Sequence, residues 1–134
     1  MAEYLTDEEF QNLALSGDLI SDSSEAIRAD QIQSASATAN SYLKAAGYDP
    51  DFVTVDDDLK YRVAAIAAFR LAKKLQRLPE PATSSALYID YKMALDWFEK
   101  VARGTIKPNL VDQTPEDEPS AGAPLIYTNE KRGW

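Results

Sequence analysis

Between Val63 and Ala72 the sequence reads VAAIAAFRLA, and Arg70 is its only polar residue. Alanine, leucine and arginine favour a helix, and the flanking LKYR and KKLQRL segments extend the same pattern. A helix that is apolar almost all round needs neighbours on nearly every side. The chain must therefore supply other helices to enclose this one. Pro79 and Pro81 are expected to stop it.

The neighbours are legible at their ends. Thr6 and Glu9 have the spacing of a capping box, and Leu5 and Phe10 occupy the staple positions across it. Asp7, Glu8 and Glu9 suit the positive end of that first helix, which is expected to stop near Ser16 and Gly17. Asp22 and Glu25 repeat the cap-plus-three spacing and are expected to open a second helix. Its stripe is Ile32, Ala35, Ala39, Tyr42 and Ala46, and Gly47 closes it. The middle of that helix, SASATANS, is made of small residues that let another backbone come close. The apolar run is the third helix, capped by Asp56 or Asp57. Leu87, Tyr91, Ala94, Phe98 and Val101 mark a fourth that ends at Gly104 before Pro108. The reading is all-α: a small four-helix domain over 1–104, with an extended C-terminal arm ending in a short β-type segment.

Composition narrows the chemistry. The chain has 134 residues, no cysteine, no histidine and a net charge of −8. Disulfide and thiol chemistry are excluded, and the commonest general base and metal ligand are missing. The aspartates from Asp49 to Asp58 do not make a calcium loop. Counting from Asp49, the fifth, sixth and twelfth positions hold Val53, Thr54 and Lys60 in place of an oxygen ligand, glycine and glutamate. Asp96 and Glu99 read as a solvated helix face. The chain is not expected to be an enzyme, and no catalytic, cofactor or metal site is expected. Nor does it show a signal peptide or an apolar run of the ~18 residues that a membrane span needs.

Charge is unevenly spread. Residues 1–111 carry −5, residues 112–124 carry −4 with no base, and residues 125–134 carry +1. That balance argues against gripping nucleic acid. Arg70, Lys73, Lys74 and Arg77 form a basic run. It complements the helix dipole or makes a salt bridge to an acidic loop of a neighbouring subunit. Arg70 has two readings: a side chain that snorkels or pairs with an acid of the fourth helix, or a subunit contact.

After Gly104 the character changes. Residues 105–124 read as an extended, acidic, proline-rich linker. Residues 125–134, LIYTNEKRGW, then gather Leu125, Ile126, Tyr127 and Trp134 around Lys131 and Arg132. A strand of about five residues cannot stand alone, so this segment reads as an arm that docks on another chain.

The order of these parts resembles a known family. YLTDEEFQNL, IQSASATANSYLKAAGY, DDLKYRVAAIAAFRLAKKL and YKMALDWFEKVARGTIKPNL are similar, in that order, to segments of the Mu-like prophage head–tail connector proteins. These are also called adaptor or head-completion proteins of tailed phages. The resemblance implies a structural virion protein in the neck, assembled in the host cytoplasm. It implies a homo-oligomeric ring on the portal protein, matching the portal's symmetry at about twelve copies. Such a ring extends the DNA channel and provides the platform for a neck, stopper or tail-completion protein. DNA would pass through without specific binding, and no membrane is involved. Leu125, Ile126, Tyr127, Lys131, Arg132 and Trp134 would bind the partner. Arg70, Lys73, Lys74 and Arg77 would lie at the subunit interface. The competing reading is an acidic protein-binding module of inhibitor or antitoxin type, whose tail docks on its target.

Overall fold

A computed structural model describes residues 4–49, 57–78 and 85–108. Five helices succeed one another: α1 (Asp7–Ala14), α2 (Gly17–Asp22), α3 (Glu25–Ala45), α4 (Asp57–Lys74) and α5 (Ala86–Ala102). Among the described residues there is no strand. The expected β-type segment and the arm lie outside the described residues, as do Asp56, Pro79, Pro81 and the linker from residue 109 onward.

The apolar run is the centre, as its sequence required. Val63 to Ala68, Leu71 and Ala72 are all buried. Helix α4 packs against α3, α5 and α1. Aromatic rings seal the seams. Phe69 of α4 stacks on Tyr91 of α5 with centroids 4.3 Å apart and meets Tyr88 edge-on. Tyr42 of α3 stacks on Phe98 of α5 at 5.8 Å. Such pairs add about 0.5–1.5 kcal/mol each beyond their burial.

The small-residue stretch of α3 turns partly inward. Ala35, Ser36 and Ala39 are fully buried, so part of the thin surface expected to admit another backbone is used inside the domain. Ser36 and Asn40 receive the chain ahead of α1. The Tyr4 backbone N–H donates to Ser36 Oγ at 3.4 Å, and the Tyr4 hydroxyl donates to Asn40 Oδ1.

Local chemistry sets the helix ends. In α1 both halves of the capping box form: Glu9 N–H donates to Thr6 Oγ1, and Thr6 N–H donates to Glu9 Oε1. The staple residues Leu5 and Phe10 are buried. The N-cap of α3 is Ser24 and not Asp22, since Ser24 Oγ accepts from Ile27 N–H at 3.2 Å. Asp22 instead ends α2, a short helix anchored by buried Leu19. That helix escapes the sequence pattern because one and a half turns opening on glycine carry almost no periodic signal.

Three helices close alike. Tyr48 N–H reaches the Leu43 carbonyl, Arg77 N–H the Ala72 carbonyl, and Thr105 N–H the Lys100 carbonyl. Each is the long bond of a Schellman motif. Residues 105 and 106, read as the start of the linker, therefore still bond to α5, and Ile106 packs on the core. Gly47 and Gly104 take the left-handed position of this motif, at φ 97° and 80°. In α4 it falls to Gln76 at φ 58°. The stop of α4 is thus set before the prolines, by a residue that resists the conformation it adopts. Gln76→Gly is expected to raise stability by about 0.5–1 kcal/mol, the strain relieved exceeding the added unfolded-state entropy. Thermal denaturation of the two proteins measures it.

Candidate functional site

The charged residues singled out in the sequence fall into place from α4 outward. Arg70, Lys73 and Lys74 recur at three- and four-residue spacing and so share one side of the helix end, while Arg77 lies past the Gln76 turn that closes the helix. Arg70 does not meet an acid of α5. Its Nη1 donates to Ser34 Oγ of α3 at 2.8 Å, and among the described residues it forms no ion pair. Arg77 lies 2.7 Å from the Asp22 carboxylate of α2, within the same chain. Lys73 and Lys74 are exposed. On α5, Asp96 and Glu99 pair with Lys100 and Arg103 one turn on, the solvated face expected of them.

The opposite side of α4 is different. Arg70 and Tyr61 are nine residues apart, about 2.5 turns, and so point in opposite directions. Around Tyr61 the enclosure of α4 is incomplete. Ala65 and Ala68 floor a groove of about 270 Å³, walled by Leu13 and Leu15 from the end of α1 and by Leu87 and Asp90 of α5. Leu13 and Tyr61 are each more than 40 % exposed, and on α5 Ile89 and Met93 are exposed beyond them. A second hollow lies farther along α5, lined by Arg62, Met93, Trp97 and Ile106. There the Arg62 guanidinium lies 5.5 Å from the Trp97 ring centroid. Arg62 Nε lies 3.5 Å from Asp58 but makes no aligned hydrogen bond among the described residues.

Ion pairs position the groove wall by clamping α1. Arg28, buried in α3, holds the Asp7 carboxylate through Nε at 2.7 Å and Nη2 at 3.2 Å. Its Nη1 donates to the Ser23 carbonyl at 2.8 Å and to the Ser23 hydroxyl, so one side chain gathers α1, α2 and α3. On the other flank Lys60 of α4 donates to Glu9. The Arg28 hydrogen bond holds the Asp7 carboxyl below its ordinary value, and the Lys60 hydrogen bond does the same for Glu9.

The sequence reading missed Arg28 and the groove. Arg28 stands one turn before Ile32 on the inner stripe of α3, and a cation in line with an apolar stripe was the available signal. The expected partner-binding residues Leu125, Ile126, Tyr127, Lys131, Arg132 and Trp134 lie outside the described residues.

Against this geometry stands one comparison. A family model described as Bacteriophage Mu, Gp36 matches residues 1–126, which take in the whole helical domain and most of the C-terminal segment. The chain belongs to the Mu Gp36 family. It is a Mu-like phage protein, which places it among phage structural or morphogenesis proteins. No curated protein matches it, and no solved structure matches it. Among the described residues of this family member, no helix is long and apolar enough to cross a membrane.

The clamp gives this Gp36-family chain a definite acid response. Asp7 and Glu9 have lowered pKa values in the folded state, so the unfolded chain takes up their protons first as pH falls. Their contribution is fully present above the ordinary carboxylate range, near pH ~4, and is lost as pH falls through the folded values. In urea denaturation from pH 7 to 3, Asp7→Asn and Glu9→Gln should each lower stability at pH 7 and flatten the acid decline.

Proposed function

We propose that this chain is a head–tail connector adaptor, a structural protein and not an enzyme. Copies of it form a ring on the portal protein, extend the DNA channel and offer a platform to the neck, stopper or tail-completion protein. The observation that carries this reading is the family match over residues 1–126, Mu Gp36 being a phage protein family. The division of the chain supports it. Among the described residues the buried core ends at Val101, and in the sequence an acidic, proline-rich stretch comes between it and Leu125–Trp134.

The surfaces suit a ring of identical copies. A closed ring needs two different faces on each subunit. One is the Arg70, Lys73 and Lys74 side of α4 with α3 beside it; Arg77 is already taken by Asp22. The other is the groove on the far side of α4. The net charge of −8 leaves DNA free to pass, since like charge repels the duplex at the channel wall.

The arm is the part to remove. Among the described residues every buried one lies between Tyr4 and Val101, and on the proposed reading deleting residues 125–134 leaves the domain folded. Attachment to the head should be lost. Each large apolar side chain buried on a partner contributes about 1.5–3 kcal/mol, and a ring multiplies that through avidity. Tyr127→Ala and Trp134→Ala should each weaken attachment more than changes at Lys131 or Arg132. Circular dichroism of the truncated protein, with a head-binding assay, tests this. Unfolding on truncation would make the segment core, and undiminished head binding would move the docking surface to the helices.

A further inference from the structure

We infer that α1 and α2 form one acidic lid that swings off α3, α4 and α5 as a unit, hinged at Ser23 and Ser24, while those three helices stay folded. The inference is independent of the connector reading.

The two parts of the domain are held by different forces. Residues 4–22 carry five acids, Asp7, Glu8, Glu9, Asp18 and Asp22, and no base. The three long-range ion pairs among the described residues all start from this segment. Asp7 meets Arg28 of α3, Glu9 meets Lys60 of α4, and Asp22 meets Arg77 beyond the end of α4. The other ion pairs among those residues lie within single helices, one turn apart. Between α3, α4 and α5 the joints are apolar instead. Ala35, Ala39, Ala64 and Ala67 are fully buried there, and aromatic rings stack across the seams.

Arg28 makes the lid a unit. Its Nε and Nη2 hold Asp7 of α1, while its Nη1 holds the Ser23 carbonyl and hydroxyl at the end of α2. Only Leu15 and Ser16 separate the two helices, so neither travels far without the other. The Asp7–Arg28 pair is the main catch, two-pronged and with side chains only 24 % and 11 % exposed. The Glu9–Lys60 and Asp22–Arg77 pairs are more exposed and contribute less.

What stays behind can stand. The lid contributes Tyr4, Leu5, Phe10 and Leu19 to the core, and the other buried apolar residues, from Ile32 to Val101, belong to α3, α4 and α5. Helix α3 also starts on its own cap, since Ser24 Oγ accepts from Ile27 N–H whether or not the lid is shut. The lid helices, of eight and six residues, are below the length at which a helix persists alone. Opening takes Leu13 and Leu15 away from Ala65 and Ala68, so the groove exists only with the lid shut. It also leaves Arg28 and Lys60 without their partners beside the flank of α4 that α1 covers.

The test is native-state hydrogen exchange of the full chain, read by NMR at low urea concentrations. Phe10 N–H of α1 and Ile20 N–H of α2 donate to the Thr6 and Ser16 carbonyls. Amides of these two helices should open together, at least about tenfold more often than those at the centre of α4. Their opening should depend weakly on urea, because little surface is exposed, and that of α4 steeply. Asp7→Asn should speed exchange in α1 and α2 by one common factor of about tenfold, the loss of a charge-assisted pair. Phe69→Leu, which loosens the seam between α4 and α5, should speed α4 and leave α1 and α2 unchanged. Equal opening and equal urea dependence in α1, α2 and α4 would make the domain one unit and overturn the inference. So would an Asp7→Asn effect confined to α1, or a Phe69→Leu effect as large in α1 and α2 as in α4.

Discussion

The enclosure of α4 organises the domain. Val63 to Ala68 offer no polar side chain to water, so α3, α5 and α1 must lie around them. Alanine on four of those six positions makes the enclosure tight, because a side chain of one carbon brings the neighbouring helix close. The larger rings are pushed to the seams, where Phe69 meets Tyr91 and Tyr42 meets Phe98. Where the surrounding helices run out, beside Tyr61, the same alanine-rich face becomes the floor of a groove. Core and groove are thus two consequences of one alanine-rich helix.

Helix α1 is too short to hold its place by propensity alone. It is fixed by what its first turn offers. Asp7 meets Arg28, Glu9 meets Lys60 while completing the capping box, and Tyr4 ahead of it meets Asn40. The carboxylates that favour the helix end through its dipole also anchor it to α3 and α4. The position of Leu13, and so the shape of the groove, depends on this anchoring.

Local features were the most legible part of the sequence. The capping box of Thr6 and Glu9, the staple of Leu5 and Phe10, and the closures at Gly47 and Gly104 each depend on residues within a turn or two of one another. The inner stripes of α3 and α5 came from helical spacing. What escaped depended on residues far apart or on short elements. Helix α2 has one buried anchor, Leu19. Asp22 looked like a cap because its true partner, Arg77, is distant in sequence. The end of α4 turned on a glutamine in a glycine's conformation, which spacing does not mark. The groove needed three helices placed together, and no window of sequence contains it. Residues 125–134 stood out by composition and lie outside the described residues, so their role is carried by the functional proposal alone.

The proposed connector role of this Mu Gp36-family chain requires that it add to an existing structure, the portal. The decisive measurement is sedimentation velocity of the full chain with and without the portal protein of its phage. The account predicts a monomer or loose oligomer alone, and a discrete portal complex carrying a ring of copies when the two are mixed. A tight dimer unchanged by portal, or no co-sedimentation at any concentration, would contradict it.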